Sequence, residues 1–79
     1  MKAVVQVFLK PGVLDVQGKA VEAALHGLGF PEVVDVRVGR TITFDVTGAD
    51  AGAARSQVEA MCERLLANPV IESYRVEVA

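Results

Sequence analysis

Few side chains in these 79 residues can make or break a bond, and their spacing decides what each can do. His26 is the single histidine, one helical turn past Glu22, and one imidazole cannot hold a metal ion alone. It has no nearby serine to activate, so no Ser-His-Asp relay assembles around it. Cys62 shares an apolar helical stripe with Met61 and Leu66. It reads as a buried structural thiol, because a reactive thiolate needs a base or a cation beside it. Glu59 and Glu63 lie one turn apart with Arg55 and Arg64 about them, the pattern of a solvated helix face. What remains is residues 10–18, reading Lys-Pro-Gly-Val-Leu-Asp-Val-Gln-Gly. Val13 and Leu14 are apolar in a connector. Gly18 sits inside a first helical turn, at a cost of roughly 0.5–1 kcal/mol against alanine. Glycine there implies that something comes close to the backbone: a phosphate, a substrate or a second protein.

The elements around this connector follow from periodicity. Val4-Val5-Gln6-Val7-Phe8-Leu9 is β-branched and almost continuously apolar, as in a central strand covered on both faces. Pro11 ends the strand, and Asp15 caps a helix over residues 16–28. Ala20, Val21, Ala24, Leu25 and Leu28 form its apolar stripe. Gly29 supplies a left-handed end, Phe30 folds back toward Leu25, and Pro31 blocks continuation. Val34, Val36 and Val38 alternate with Asp35 and Arg37, and Ile42, Phe44 and Val46 with Thr43, Asp45 and Thr47. The two runs read as a hairpin. Their apolar sets share one face if Gly39, Arg40 and Thr41 separate them, an odd count that a bulge accommodates. Gly48-Ala49-Asp50 is a turn, with Asp50 capping a second helix lined by Ala51, Ala54, Val58, Met61, Cys62, Leu65 and Leu66. Asn68-Pro69 stops it, and residues 70–78 form a last strand with Tyr74, Val76 and Val78 on one side.

The order β-α-β-β-α-β fits an α+β ferredoxin-like sandwich, with a four-stranded antiparallel sheet and two helices on one face. The first and third strands are then central. The open face carries Asp35, Arg37, Thr43, Asp45, Arg75 and Glu77 around an apolar middle, which a second copy would cover. So short a chain is a single domain, residues 1–79, and its 52% apolar content points to a homodimer or higher homo-oligomer. A net charge of −2 argues against nucleic acid, which needs a dense basic footprint. No apolar run approaches the roughly 20 residues that span a bilayer. One cysteine excludes an internal disulfide and fits a reducing cytoplasm, and Met1-Lys2 leads into a strand without a targeting signal.

Three segments together carry a family resemblance: Val13-Leu14-Asp15-Val16-Gln17-Gly18, the alternating residues 34–38 with Gly39-Arg40, and residues 62–74 reading Cys-Glu-Arg-Leu-Leu-Ala-Asn-Pro-Val-Ile-Glu-Ser-Tyr. In this order and spacing the chain resembles the PurS family, the small subunit of phosphoribosylformylglycinamidine synthase in de novo purine (IMP) biosynthesis. The family commonly has proline where this chain has Val16, and Gly-Lys where it has Gly39-Arg40. Some members run on beyond the position of Ala79.

The resemblance implies membership of an ATP-dependent, glutamine-hydrolysing carbon–nitrogen ligase complex. A synthetase subunit uses ATP and Mg, and a glutaminase subunit releases ammonia. The homodimeric small subunit bridges the two and supports ammonia transfer, with no catalytic residue, metal or cofactor of its own. Its partner contacts would fall on Lys10, Gly12, Val13, Leu14, Asp15, Gln17 and Gly18, on Gly39 and Arg40, and on Asn68, Pro69, Ile71 and Glu72. Two other resemblances compete. ACT-type sensors pair ferredoxin-like domains and bind amino acids beside a glycine-bearing loop such as residues 10–18. Acylphosphatase-like enzymes use an anion loop similar to Val16-Gln17-Gly18, but want an arginine and an asparagine where this chain has Lys19 and Thr43.

Overall fold

The computed structural model of this chain describes residues 1–48 and 50–79; Ala49, the middle of the expected turn, lies outside the described residues. Period-two alternation builds its first element. Strand β1 (Lys2–Leu9) turns Ala3, Val5 and Val7 into the interior and Gln6 and Phe8 outward. It is the middle strand of an antiparallel sheet, between β2 (Arg40–Asp45) and β3 (Glu72–Val78). The register sets Val5 opposite Ile42 on one side and Val76 on the other, so apolar partners meet on the inner face. Met1 and Val46 exchange both backbone hydrogen bonds, at 3.0 and 2.7 Å, and add one rung.

Helix α2 (Ala51–Met61) starts where Asp50 accepts the Gly52 N–H at 3.1 Å, and it buries Ala54 and Val58 in the core shared with β1 and β3. By area transfer, burying Val5, Val7 and Val58 stabilises the fold by roughly 1.5–3 kcal/mol each, before entropy. A π-helical turn (Cys62–Leu66) follows, closed by the Ala67 N–H on the Cys62 carbonyl at 3.0 Å. The wider turn shifts the residues after it around the axis. Leu65 is therefore 82% exposed, although a 3.6-residue period puts it on the apolar stripe, and Met61 at the stripe's margin is half-exposed.

Helix α1 (Val16–Gly27) begins on Asp15, which accepts the Gly18 N–H at 2.7 Å. It ends as the glycine position implies. Gly29 has φ +98°, its N–H reaches the His26 carbonyl, and the Phe30 N–H reaches the Leu25 carbonyl at 3.0 Å.

The expected four-stranded sheet needs correcting, because only three strands are present among the described residues. Residues 34–38 do not hairpin onto β2. They run back along α1, where the Val36 N–H donates to Glu22 at 3.3 Å and the Val38 N–H to Asp15 at 2.7 Å. The expected Gly39-Arg40 turn is absent for a related reason: Arg40 is already laddered opposite Val7 as the first residue of β2. That leaves β2 at the sheet edge instead of in its centre. Nor does α1 cover the sheet beside α2; only Gly18 of it is buried, and Val21 and Leu28 lie in solvent. Helix and return segment together make an arm. It lengthens the molecule to 50 × 24 × 15 Å, with a radius of gyration of 15.9 Å. A compact chain of this length would have roughly 12 Å. The open sheet face carries Thr43, Asp45, Arg75 and Glu77 about Val4, Gln6 and Phe8 as expected, whereas Asp35 and Arg37 have left with the arm.

Candidate functional site

The three motif segments meet at the root of the arm, at one end of the sheet. Lys10 leaves β1 and donates from Nζ to the Pro69 carbonyl at 2.7 Å, while its own carbonyl accepts from Arg37 at 3.2 Å. Its N–H bonds the Ile71 carbonyl at 2.9 Å. The chain then turns through Gly12, whose φ of +89° strains any residue with a Cβ and whose surroundings are open. Val13 is half-buried, and Leu14 projects 68% exposed. Asp15 is the pivot. One carboxylate oxygen caps α1 at Gly18 and the other holds Val38, which lowers its pKa through the two N–H groups, Val38 first, with help from the Arg37 charge.

Gly18 and Gly39 are close-approach positions. A Cβ on Gly18 would lie 2.2 Å from the Val36 carbonyl oxygen, and one on Gly39 2.8 Å from that of Val7. The group that comes close to Gly18 is thus the chain's own backbone.

Arg40 clamps the other side of the cleft. It pairs with Glu72 at 2.8 Å and donates to the Leu66 carbonyl at 2.6 Å, so it also serves a carbonyl at the end of the π-helical turn. Glu72 accepts from the Asn68 N–H at 2.7 Å as well. Its pKa is lowered chiefly by Arg40 and then by Asn68. Asn68 orders the turn through Pro69 by accepting the Val70 N–H at 3.1 Å, and Ile71 is left 40% exposed. Asp15, Gln17, Val38, Gly39, Arg40 and Glu72 line a cleft of about 250 Å3 floored by β1. Gln17 is exposed and makes no side-chain hydrogen bond among the described residues. Lys10 and Arg40, whose side chains neither fold nor capping requires at the level of sequence, both have internal acceptors. Glu22 and His26, which the sequence sets one helical turn apart, have partners in the return segment that sequence reasoning misses: Glu22 accepts the Val36 N–H, and His26 Nε2 lies 2.6 Å from the Val33 carbonyl oxygen. Their partners are backbone groups 14 and 7 residues away, for which side-chain spacing carries no signal.

Cys62 lies away from this site, fully buried, with its pKa raised by burial first and then by Glu63 and Glu59. A thiol-specific disulfide reagent at pH 7 is expected to leave the folded chain unmodified and to titrate one thiol after denaturation. Rapid reaction of the native protein would contradict the packing. Among the described residues no three His, Cys, Asp or Glu side chains gather to hold a metal ion, and no helix is long and apolar enough to cross a membrane.

Comparison with known proteins covers nearly the whole chain. A family model described as PurS, phosphoribosylformylglycinamidine (FGAM) synthase, matches residues 2–79. The phosphoribosylformylglycinamidine synthase subunit PurS of Bacillus subtilis is 48% identical over 77 residues, 98% of this chain and 90% of that protein. The crystal structure of Methanocaldococcus jannaschii PurS superposes with a TM-score of 0.87 at 38% identity, covering 99% of this chain and 94% of that one. It is one of the subunits of formylglycinamide ribonucleotide amidotransferase in the purine biosynthetic pathway. A chain in the structure of PurLQS from Thermotoga maritima gives 0.87 at 32% identity, covering 96% and 93%.

Proposed function

The chain belongs to the PurS family of phosphoribosylformylglycinamidine synthase subunits, and from that premise we propose that it bridges the glutaminase and synthetase subunits and supports ammonia transfer between them. It is a subunit of a purine-biosynthetic ligase complex. In this reading the chain contributes contact and no bond chemistry, works in the cytoplasm, and leaves ATP and Mg to the synthetase. It self-associates as a homodimer or higher homo-oligomer, a reading supported by the uncovered α1 stripe. The carrying observation is the convergence of all three motif segments on one exposed corner, where Leu14, Gln17 and Ile71 present surface that the fold itself does not use. The partner contacts are placed there.

Leu14→Glu combined with Gln17→Ala tests this without disturbing a described internal bond. In the reconstituted complex, glutamine-driven turnover is expected to fall at least tenfold, about 1.4 kcal/mol, with the oligomeric state of the purified subunit unchanged. Turnover supplied with ammonium salt in place of glutamine should stay near the parent level. An equal loss of both activities would refute a transfer role, and full glutamine-driven activity would refute the contact site.

A further inference from the structure

We propose that the cleft at the root of the arm binds one free α-amino acid, held by its own ammonium and carboxylate groups as a ladder one residue long. The site is built on the backbone of β1 and goes beyond the bridging role, on which it does not depend.

The hydrogen-bonding parity of β1 carries the argument. Lys2 and Ala79 exchange both backbone bonds at 3.0 Å, and the Lys10 N–H reaches the Ile71 carbonyl at 2.9 Å. The even-numbered residues of β1 therefore turn their backbone groups toward β3. Met1 and Val46 form the matching pair on the other side, so the odd-numbered residues turn theirs toward β2. Val7 is met there by Arg40, the first residue of β2. Leu9 is met by nothing. The register would put Val38 opposite it, but Asp15 takes the Val38 N–H at 2.7 Å. Among the described residues no hydrogen bond reaches the Leu9 N–H or carbonyl from that side. Pro11, the next odd-numbered residue, has no N–H to offer. The unanswered edge is one residue long, and Leu9 lines the cleft of about 250 Å3.

That length selects the occupant. A donor and an acceptor on one residue, facing the same way, are answered in a bonded pair by an acceptor and a donor on one partner residue. A peptide strand would need a second rung, which Arg40 closes at one end and Pro11 at the other. A free amino acid needs only the one. Its carboxylate accepts the Leu9 N–H and its ammonium donates to the Leu9 carbonyl. The carboxylate end then lies toward Arg40, whose side chain stays 51% exposed while it pairs with Glu72. Asp15, Arg40 and Glu72 are the charged side chains that line the cleft. With Arg40 and Glu72 answering each other, the Asp15 carboxylate is the charge left for an ammonium group. The side chain of the ligand falls toward Gln17, which is exposed at the same cleft with its amide unengaged. Clefts for drug-sized ligands run from roughly 300 to 1,000 Å3, so this smaller one suits a single amino acid.

The test titrates the isotopically labelled full chain with glycine and follows its backbone amides by NMR. Glycine is expected to shift the amides of Leu9 and Gly39 saturably, half-maximally at roughly 1–10 mM. Acetate and methylammonium each carry one of the two charged groups and should need at least about tenfold more. Leu9→Pro removes the one free donor without taking a bond from the fold, so it should abolish the shifts while the amides of α2 and β3 stay in place. If that variant does not fold, the three probes on the parent chain decide alone. Acetate that saturates as readily as glycine would reduce the cleft to an anion site on Arg40 and overturn the ladder. Shifts that do not saturate, or that scatter over the surface away from Leu9, would overturn the site.

Discussion

Gly18→Ala is expected to release the return segment of the arm and to lower the melting temperature by roughly 5–20 °C. The added Cβ meets the Val36 carbonyl oxygen at 2.2 Å and the Asp15 carboxyl group at 2.9 Å. Neither can yield alone. The first is backbone, and the second is fixed by its bonds to Gly18 and Val38. Overpacking of this kind costs about 1–3 kcal/mol, and in a domain this small each kcal/mol moves the midpoint by roughly 4–8 °C. Gly27→Ala is the matched control. It lies in the same helix with nothing within 4 Å of an added Cβ, so alanine should stabilise there by about 0.5–1 kcal/mol. Hydrogen exchange separates local from global effects: residues 33–38 should lose protection in Gly18→Ala while β1 and β3 keep theirs. Unchanged melting and unchanged protection would mean that the return segment does not lie against α1.

Asp15→Asn is expected to loosen the same arm through charge instead of size, and to remove a pH dependence that the parent shows. The carboxylate accepts from two N–H groups that face it from different elements. An amide of the same shape presents a donor to one of them whichever way it turns. In the parent the folded carboxyl group titrates below its ordinary value of 3.8, held there by Val38 and Gly18. The unfolded chain binds the proton more readily, so the contribution of Asp15 is complete above about pH 4 and fades as pH falls through the lowered folded value. Glu72, also lowered, fades over a neighbouring window below its ordinary 4.5. The difference between parent and Asp15→Asn isolates the Asp15 share: a gap in amide protection at Val38 that is wide at pH 6 and narrows below pH 4. A gap that does not narrow with acid would mean that the charge of Asp15 does not hold the arm.

What was legible in the sequence was local. Asp15 and Asp50 cap their helices, and Gly29 ends α1 in the left-handed region, because each of these depends on bonds within a few residues. The inward set of β1 and the inward side of Phe44 follow from alternation alone. Alternation shows which way a side chain points but not which backbone lies alongside. Residues 34–38 have the pattern of a paired strand, yet their N–H groups are claimed by Glu22 and Asp15 from a helix that sequence places elsewhere. Leu65 departs from the apolar stripe that its spacing implies because one π-helical turn resets the helical phase. In the candidate site, the glycines announced a close approach without naming the group that approaches. The basic charge of Arg40 was visible, but its acceptors Glu72 and the Leu66 carbonyl lie 32 and 26 residues away and were not.

Asp35 is the one non-glycine residue among those described with a left-handed backbone, φ +55°, and it stands just before the extended residues 36–38, whose Val36 and Val38 N–H groups Glu22 and Asp15 accept. A strand laid against residues 36–38 cannot extend its ladder through such a kink, and a charged side chain there discourages hydrophobic stacking. A protein that shows bare strand edge to its neighbours risks growing into fibres. Here the left-handed backbone at Asp35 limits the extended stretch that follows it to a few residues, too short to template a long ladder.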